Sequence, residues 1–326
     1  MNKLMTGLLA GAMAMTGFAA EAADDITLQL KWVTQAQFAG YIVAKAKGLY
    51  DEADLNVTIL PGGPNIAPEQ VIAGGGADII VDWMGGAVAA REKGVPLVNI
   101  AQPFKRSGLM MICPTETGIT SEADFPGHTL GVWFYGNEYP FFAWMNKLGY
   151  ATDGSAGGVT VLQQSFDIQP MIQGQADCIS VMTYNEYGQA LDAGYGPDNL
   201  TIFNYTEMGN DLLEDGLYVM EDDLSDPART DAYVRFVAAS MKGWAYALDN
   251  PEEAAQIVVD SDETGAAEYD HQFYMVGEVS KLVDASDPAL DLTTYERTVK
   301  ALLDQGIIEK TPEGAYTTAI TDTVGM

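Results

Sequence analysis

Four times along the chain a short apolar run ends at an aromatic residue and gives way to a segment whose apolar positions recur every three to four residues. The runs are "ITLQLKW", "ADIIVDW", "HTLGVWF" and "ADCISVMTY", followed by "VTQAQFAGYIVAKAKG", "MGGAVAAREKG", "YGNEYPFFAWMNKLG" and "NEYGQALDAG". The short runs predict strands and the longer period predicts helices. The marking aromatics Trp32, Trp83, Trp133 and Tyr184 are 51, 50 and 51 residues apart. Alternating strands and helices predict parallel sheets, with ligands beyond the carboxyl ends of the strands. All four aromatics stand at such ends. Because the intervening sequences share little, the period predicts two similar α/β lobes facing one cleft rather than a solenoid.

Turn residues after "GLMMICPTETGI" mark a boundary. The chain then returns through "NLTIFNYTEMGNDLLEDGLYVM" to a helical tail, in which Asp226-Pro227 and Asn250-Pro251 are helix starts. The division expected is a first lobe of residues 23–115 and 206–326, packed with the tail, and a second lobe of 116–205. Two crossovers would join them as a hinge.

The first residues carry Lys3, an apolar run from Leu8 to Ala20 and the triplet Ala20, Glu21, Ala22. This is the pattern of a secretory signal, residues 1–22, cut after Ala22. The run is too short to span a membrane. Export to the periplasm as a monomer is expected. The net charge of −30 argues against nucleic acid or anionic lipid as partner. Cys113 and Cys178 are the only cysteines. Each lies in an apolar run without a CxxC pattern, and the expectation is two buried free thiols rather than a bridge.

Candidate binding residues cluster at the four junctions. Trp32 offers a ring face, with Gln35, Gln37 and the helix-opening Tyr41 just after it. Asp82 and Trp83 stand at the second strand end, where Asp82 would bind ligand or cap the following helix. In the third, Trp133 and Tyr135 are stacking faces, Gly136 and Asn137 allow close approach, and Glu138 is an acceptor at a helix start. Phe141, Phe142 and Trp144 have the spacing of a buried helix face. In the fourth, Tyr184, Asn185 and Glu186 stand at the equivalent place in the second lobe. Lys31, adjacent to Trp32 on a strand, is expected to point to the opposite face. The site would then lack the cations that nitrate, sulfonate or phosphate need, and a neutral or weakly basic nitrogen heterocycle fits it better.

"LKWVTQAQFAGYIVAKAKGLYDEADLNVTILPGG", "GGGADIIVDW" and "GVWFYGNEYPF" resemble the NMT1/THI5-like group of periplasmic solute-binding proteins that serve ABC importers. The resemblance implies a type II periplasmic-binding-protein fold of two α/β lobes with the ligand between them. It also implies a permease and an ATPase as partners. Members bind thiamine-related aminopyrimidines, riboflavin, or small sulfonates and nitrate, and nucleobases are a further alternative. In pyrimidine-binding members a histidine follows the tryptophan by six residues; that place is Phe38 here, which keeps a ring for stacking.

An enzyme branch of the same family uses a cofactor-bearing lysine, a histidine and a cysteine-rich segment. Here His128 and His271 lie away from the strand ends, no cysteine cluster exists, and no G-x-S-x-G elbow is present. "DSDETGAAEYDH" begins like a calcium loop but ends on His271 where a bidentate Glu is required. Neither catalysis, nor a cofactor, nor a metal is expected. An extracellular sensory module is the third reading.

Overall fold

The computed structural model describes residues 23–324; the signal assigned to 1–22 lies outside the described residues. The alternation of apolar runs folds into two five-stranded mixed sheets. The first contains β1 (Asp24–Gln29), β2 (Leu55–Leu60), β3 (Ile79–Asp82), β4 (Leu97–Ala101) and, from far along the chain, β10 (Gly216–Met220), in the order β2-β1-β3-β10-β4. The second contains β5 (Leu109–Pro114), β6 (Thr129–Val132), β7 (Thr160–Gln163), β8 (Cys178–Met182) and β9 (Leu200–Asn204), in the order β7-β6-β8-β5-β9. In each, the three strands at one side run parallel, and the strand that enters directly from the other lobe, β10 or β5, is antiparallel to both neighbours.

The sequence period follows from this shared topology. β1 pairs with β3, and β6 with β8, so the four marking aromatics follow matching pairs of adjacent strands. The likeness extends to polar residues. Asp78 Oδ2 accepts from Thr27 N at 2.7 Å, and Asp177 Oδ2 accepts from Thr129 N at 2.8 Å. Both carboxylates fix strand register just before β3 and β8.

The division at 115/116 falls later than the crossover. Leu109–Pro114 is hydrogen-bonded to β8 and β9, so this strand belongs to the second sheet. The Pro, Thr and Gly residues after it form a tight turn at the strand's end rather than the passage between lobes. That passage is residues 102–108, and the return is residues 205–215. The two run side by side: Gln102 Nε2 donates to the carbonyls of Glu214 and Asp215 at 2.8 and 3.1 Å, and the Glu214 carboxylate accepts from Ser107 Oγ and Gly108 N.

The cysteines depart from expectation: Cys113 and Cys178 form a disulfide, with Cα atoms 4.2 Å apart. They come from runs 65 residues apart, which the linear sequence presents as unrelated. The antiparallel pairing of β5 with β8 sets Ile112 opposite Ile179, and the next pair is the two cysteines.

The tail packs on the first lobe. Asp226 accepts from Ala228 N and Pro227 occupies the first turn, starting the helix Pro227–Asp249. Trp244 on this helix is fully buried against Tyr41 and Phe104. A Cβ on Gly40 would lie 2.1 Å from the Trp244 ring, and one on Gly243 would lie 2.1 Å from the Gly40 carbonyl oxygen. These two glycines let the helix touch Ala39–Ala46, which fixes the segment that follows Trp32.

Candidate functional site

The carboxyl ends of β1, β3, β6 and β8 meet between the lobes around one cavity. Its walls include Trp32, Trp83, Trp133 and Tyr184, together with Gln35, Gln37, Asn137, Asn185, Glu186, Lys31 and Met182. The space between them, including the part open to solvent, is about 310 Å³. Trp32 and Trp133 come from opposite lobes and meet edge to face, with ring centroids 6.0 Å apart and planes at 67°. Ser165 O accepts from the Trp133 indole N–H at 2.7 Å, which fixes that ring.

Lys31 does not turn away from the cleft. β1 ends at Gln29, and beyond it the strand alternation no longer sets direction. The Lys31 ammonium donates to Asp82 Oδ1 at 2.7 Å and, across the cleft, to the Tyr135 carbonyl at 2.9 Å. Tyr135 presents that carbonyl from the left-handed region, at φ 60°. Beside it Gly136 packs on Gly86 of the other lobe so closely that a Cβ would lie 3.0 Å from the Gly86 Cα. Burial opposes the charge on Lys31, but the adjacent Asp82 outweighs it and the ammonium is held above its usual range.

The amide side chains are committed in definite directions. Gln37 Nε2 donates to Asp215 Oδ2 at 2.6 Å, and Gln35 Nε2 donates to Gln37 Oε1 at 2.7 Å. Asn137 Nδ2 donates to the Phe134 carbonyl at 2.8 Å. Asn185 Nδ2 donates to Glu186 Oε1 at 2.7 Å, while Glu186 Oε2 accepts from Met182 N at 3.0 Å.

Buried carboxyls stand in and behind the cleft wall. Burial pushes Glu186 up to about 7 against the bond from Met182 N, and Asp215 up to about 7 against the bond from Gln37. Glu214, between the crossovers, is pushed by burial up to about 8. Asp82 Oδ2 is buried with no hydrogen-bond partner among the described residues; Asp215 Oδ1 and the Trp83 indole N–H are also outside hydrogen-bond geometry, although the indole is near enough to favour the Asp215 carboxylate. Unpaired groups of this kind are costly in a packed interior. These three lie in or just behind the cleft wall.

Other sequence candidates sit behind the walls or at the rim. Phe38 and Tyr41 are fully buried in the first lobe's core, the latter against Trp244. Asp82 does not cap the helix Met84–Glu92, whose N-cap is Trp83; it pairs with Lys31. Tyr135 is 40% exposed, so its ring faces outward while its carbonyl works across the cleft. Glu138, at the start of the helix Tyr139–Leu148, folds back to accept from Gly136 N at 2.8 Å, and burial raises its carboxyl. Phe141 and Trp144 are core, as their spacing implied, whereas Phe142 is only partly buried against that core.

Sequence reasoning missed Asp215 and the helix Tyr269–Val279. This tail helix spans the lobes: Gln272 Oε1 accepts from Ala36 N at 2.7 Å, Tyr274 OH donates to the Thr183 carbonyl at 2.7 Å, and His271 Nε2 lies 2.9 Å from Asn185 Oδ1. Gly188 admits it, since a Cβ there would lie 2.5 Å from the Tyr274 ring. No linear signal links residues so distant in sequence, and a glycine three residues into "NEYGQ" was the available hint.

A family model described as NMT1/THI5 like matches residues 35–254. The formylaminopyrimidine-binding protein of Halalkalibacterium halodurans is 24% identical over 78% of this chain and 76% of its own length. The riboflavin-binding protein RibY of Chloroflexus aurantiacus is 24% identical over 71% of this chain, which spans 64% of that relative's length. The periplasmic aliphatic sulphonate binding protein SsuA of Escherichia coli superposes with a TM-score of 0.65 at 13% identity, covering 89% of this chain and 90% of that one. At that identity the likeness is one of fold.

Proposed function

Since the chain belongs to the NMT1/THI5-like family, we propose that it is an exported solute-binding protein that closes its two lobes on a small aromatic nitrogen heterocycle, with an aminopyrimidine as the leading candidate. The observation that carries this reading is the convergence of four rings, two from each lobe, on one cavity whose lysine is already paired with Asp82. Stacking on Trp32 or Trp133 contributes about 0.5–1.5 kcal/mol beyond area burial. A bound anion would compete with Asp82 for Lys31 and face Glu186, so sulfonate and nitrate are disfavoured. The ligand would pass to an ABC permease driven by an ATPase, and the protein acts as a monomeric carrier rather than an enzyme.

Riboflavin is the second reading, supported by the relative from Chloroflexus aurantiacus.

The test is a thermal-shift panel on ligand-stripped protein, with aminopyrimidines, a formylaminopyrimidine, riboflavin, nucleobases, taurine and nitrate. A ligand at a hundred times its Kd stabilises by about 2.7 kcal/mol. A shift with one-ring heterocycles, lost in both Trp32→Ala and Trp133→Ala while the variants remain folded, supports the reading. Shifts confined to taurine or nitrate would refute it.

A further inference from the structure

Asp215, Gln37 and Gln35 form a directed chain running from the return crossover to the cavity wall. The three side chains are 1%, 4% and 5% exposed. A carboxylate is an acceptor only, so Asp215 Oδ2 makes Gln37 turn its NH₂ group inward. That leaves Gln37 Oε1 to face Gln35, and Gln35 commits its own NH₂ group to it. Gln35 is thereby left with its carbonyl Oε1, which has no hydrogen-bond partner among the described residues. Rotating either amide by half a turn would set like groups against each other in a buried site, a penalised arrangement. A proton on Asp215 Oδ1, the oxygen with no partner, leaves Oδ2 an acceptor and the chain's direction unchanged.

Asn137, from the other lobe, is oriented in the same sense. Its NH₂ group is spent on the Phe134 carbonyl, so it too keeps a carbonyl oxygen. Each lobe thus offers the cavity an amide carbonyl oxygen as acceptor.

We propose that the Asp215–Gln37–Gln35 chain fixes Gln35 Oε1 as an acceptor that selects rings bearing an exocyclic amino group over their ring-oxo counterparts. Asp215 is thus a positioning residue that never touches the ligand. The inference rests on the heterocycle reading above and specifies which heterocycles are admitted.

The experiment is calorimetric titration of full mature protein with 4-aminopyrimidine and with pyrimidin-4-one, a pair that exchanges an NH₂ donor at C4 for a carbonyl acceptor and the adjacent ring-nitrogen acceptor for an N–H. Wild-type protein should favour the amino ring by about tenfold or more, as expected where a buried polar group would otherwise be left unpaired. Asp215→Ala and Gln37→Met free the Gln35 amide to rotate and should erase most of that preference. Asp215→Asn still offers Gln37 an oxygen and should retain most of it. Should Asp215→Ala not fold, Gln37→Met decides, because it leaves the crossover intact. A purely structural role would weaken both rings by one common factor and leave their ratio unchanged, which would overturn the inference. Wild-type protein that binds the oxo ring as tightly or more tightly would overturn it too, leaving the heterocycle reading in place. Wild-type protein that binds neither ring would overturn both.

Discussion

Lys31→Met removes the ammonium that joins Asp82 in one lobe to the Tyr135 carbonyl in the other, while leaving a side chain of similar reach. Asp82 is fully buried, its second oxygen has no partner and its first would keep only the Trp83 backbone N–H, so the substitution strands a carboxylate without a counter-charge. Breaking a buried pair in this way costs about 3–5 kcal/mol. With about 300 ordered residues and an unfolding entropy near 2.1 cal/mol/K per residue, the expected fall in Tm is about 5–8 °C. The double variant Lys31→Met/Asp82→Leu removes the stranded charge as well and should recover most of the loss, because replacing a whole buried pair by apolar groups is often neutral. Neither variant rebuilds the bond to Tyr135. If that charged hydrogen bond contributes about 1.5–3 kcal/mol to the closed form, both should bind ligand about 10- to 150-fold more weakly. Scanning calorimetry reads the first effect and isothermal titration the second. A double variant as unstable as the single one would refute the stranded-charge argument, and wild-type affinity in either variant would refute the role of the crossing bond.

Three further outcomes follow from the packing and the buried carboxyls. Replacing Cys113 and Cys178 by Ser should lower stability by about 4 kcal/mol, the chain-entropy value for a loop of this length; an unchanged melting curve would show that the bridge does not constrain the unfolded chain. Burial holds Glu186 and Asp215 at about 7 and Glu214 at about 8, above their values in an unfolded chain, so the native state keeps protons that the unfolded state releases. Stability should therefore fall as pH rises from about 4.5 to 8 and level off above that, with Glu214→Gln flattening the upper part of the curve; a profile that rises through this range would contradict the burial of these groups. Gly40→Ala should destabilise by about 1–3 kcal/mol through overpacking against Trp244, whereas Gly277→Ala, with open space around it, should be neutral or stabilising, and chemical denaturation of both variants tests the contrast.

The apolar periodicity of the sequence determined that strands and helices alternate, that two similar lobes exist, and that Trp32, Trp83, Trp133 and Tyr184 stand at matching strand ends. Those features are local: a strand's burial pattern and a helix's period are written in consecutive residues. Likewise Phe141 and Trp144 declared themselves as core by spacing alone. Tertiary structure decided everything that depends on which strands become neighbours. The pairing of β5 with β8 made a disulfide of two cysteines that looked independent, and it drew Leu109–Pro114 into the second lobe. The end of β1 at Gln29 released Lys31 from strand alternation and let Asp82 and Tyr135 claim its charge. The return crossover carried Asp215 behind Gln37, and the tail carried His271 to Asn185. Directional interactions between groups so far apart in sequence leave no periodic trace, because their partners are chosen by how the chain closes in space rather than by what stands next to them in it.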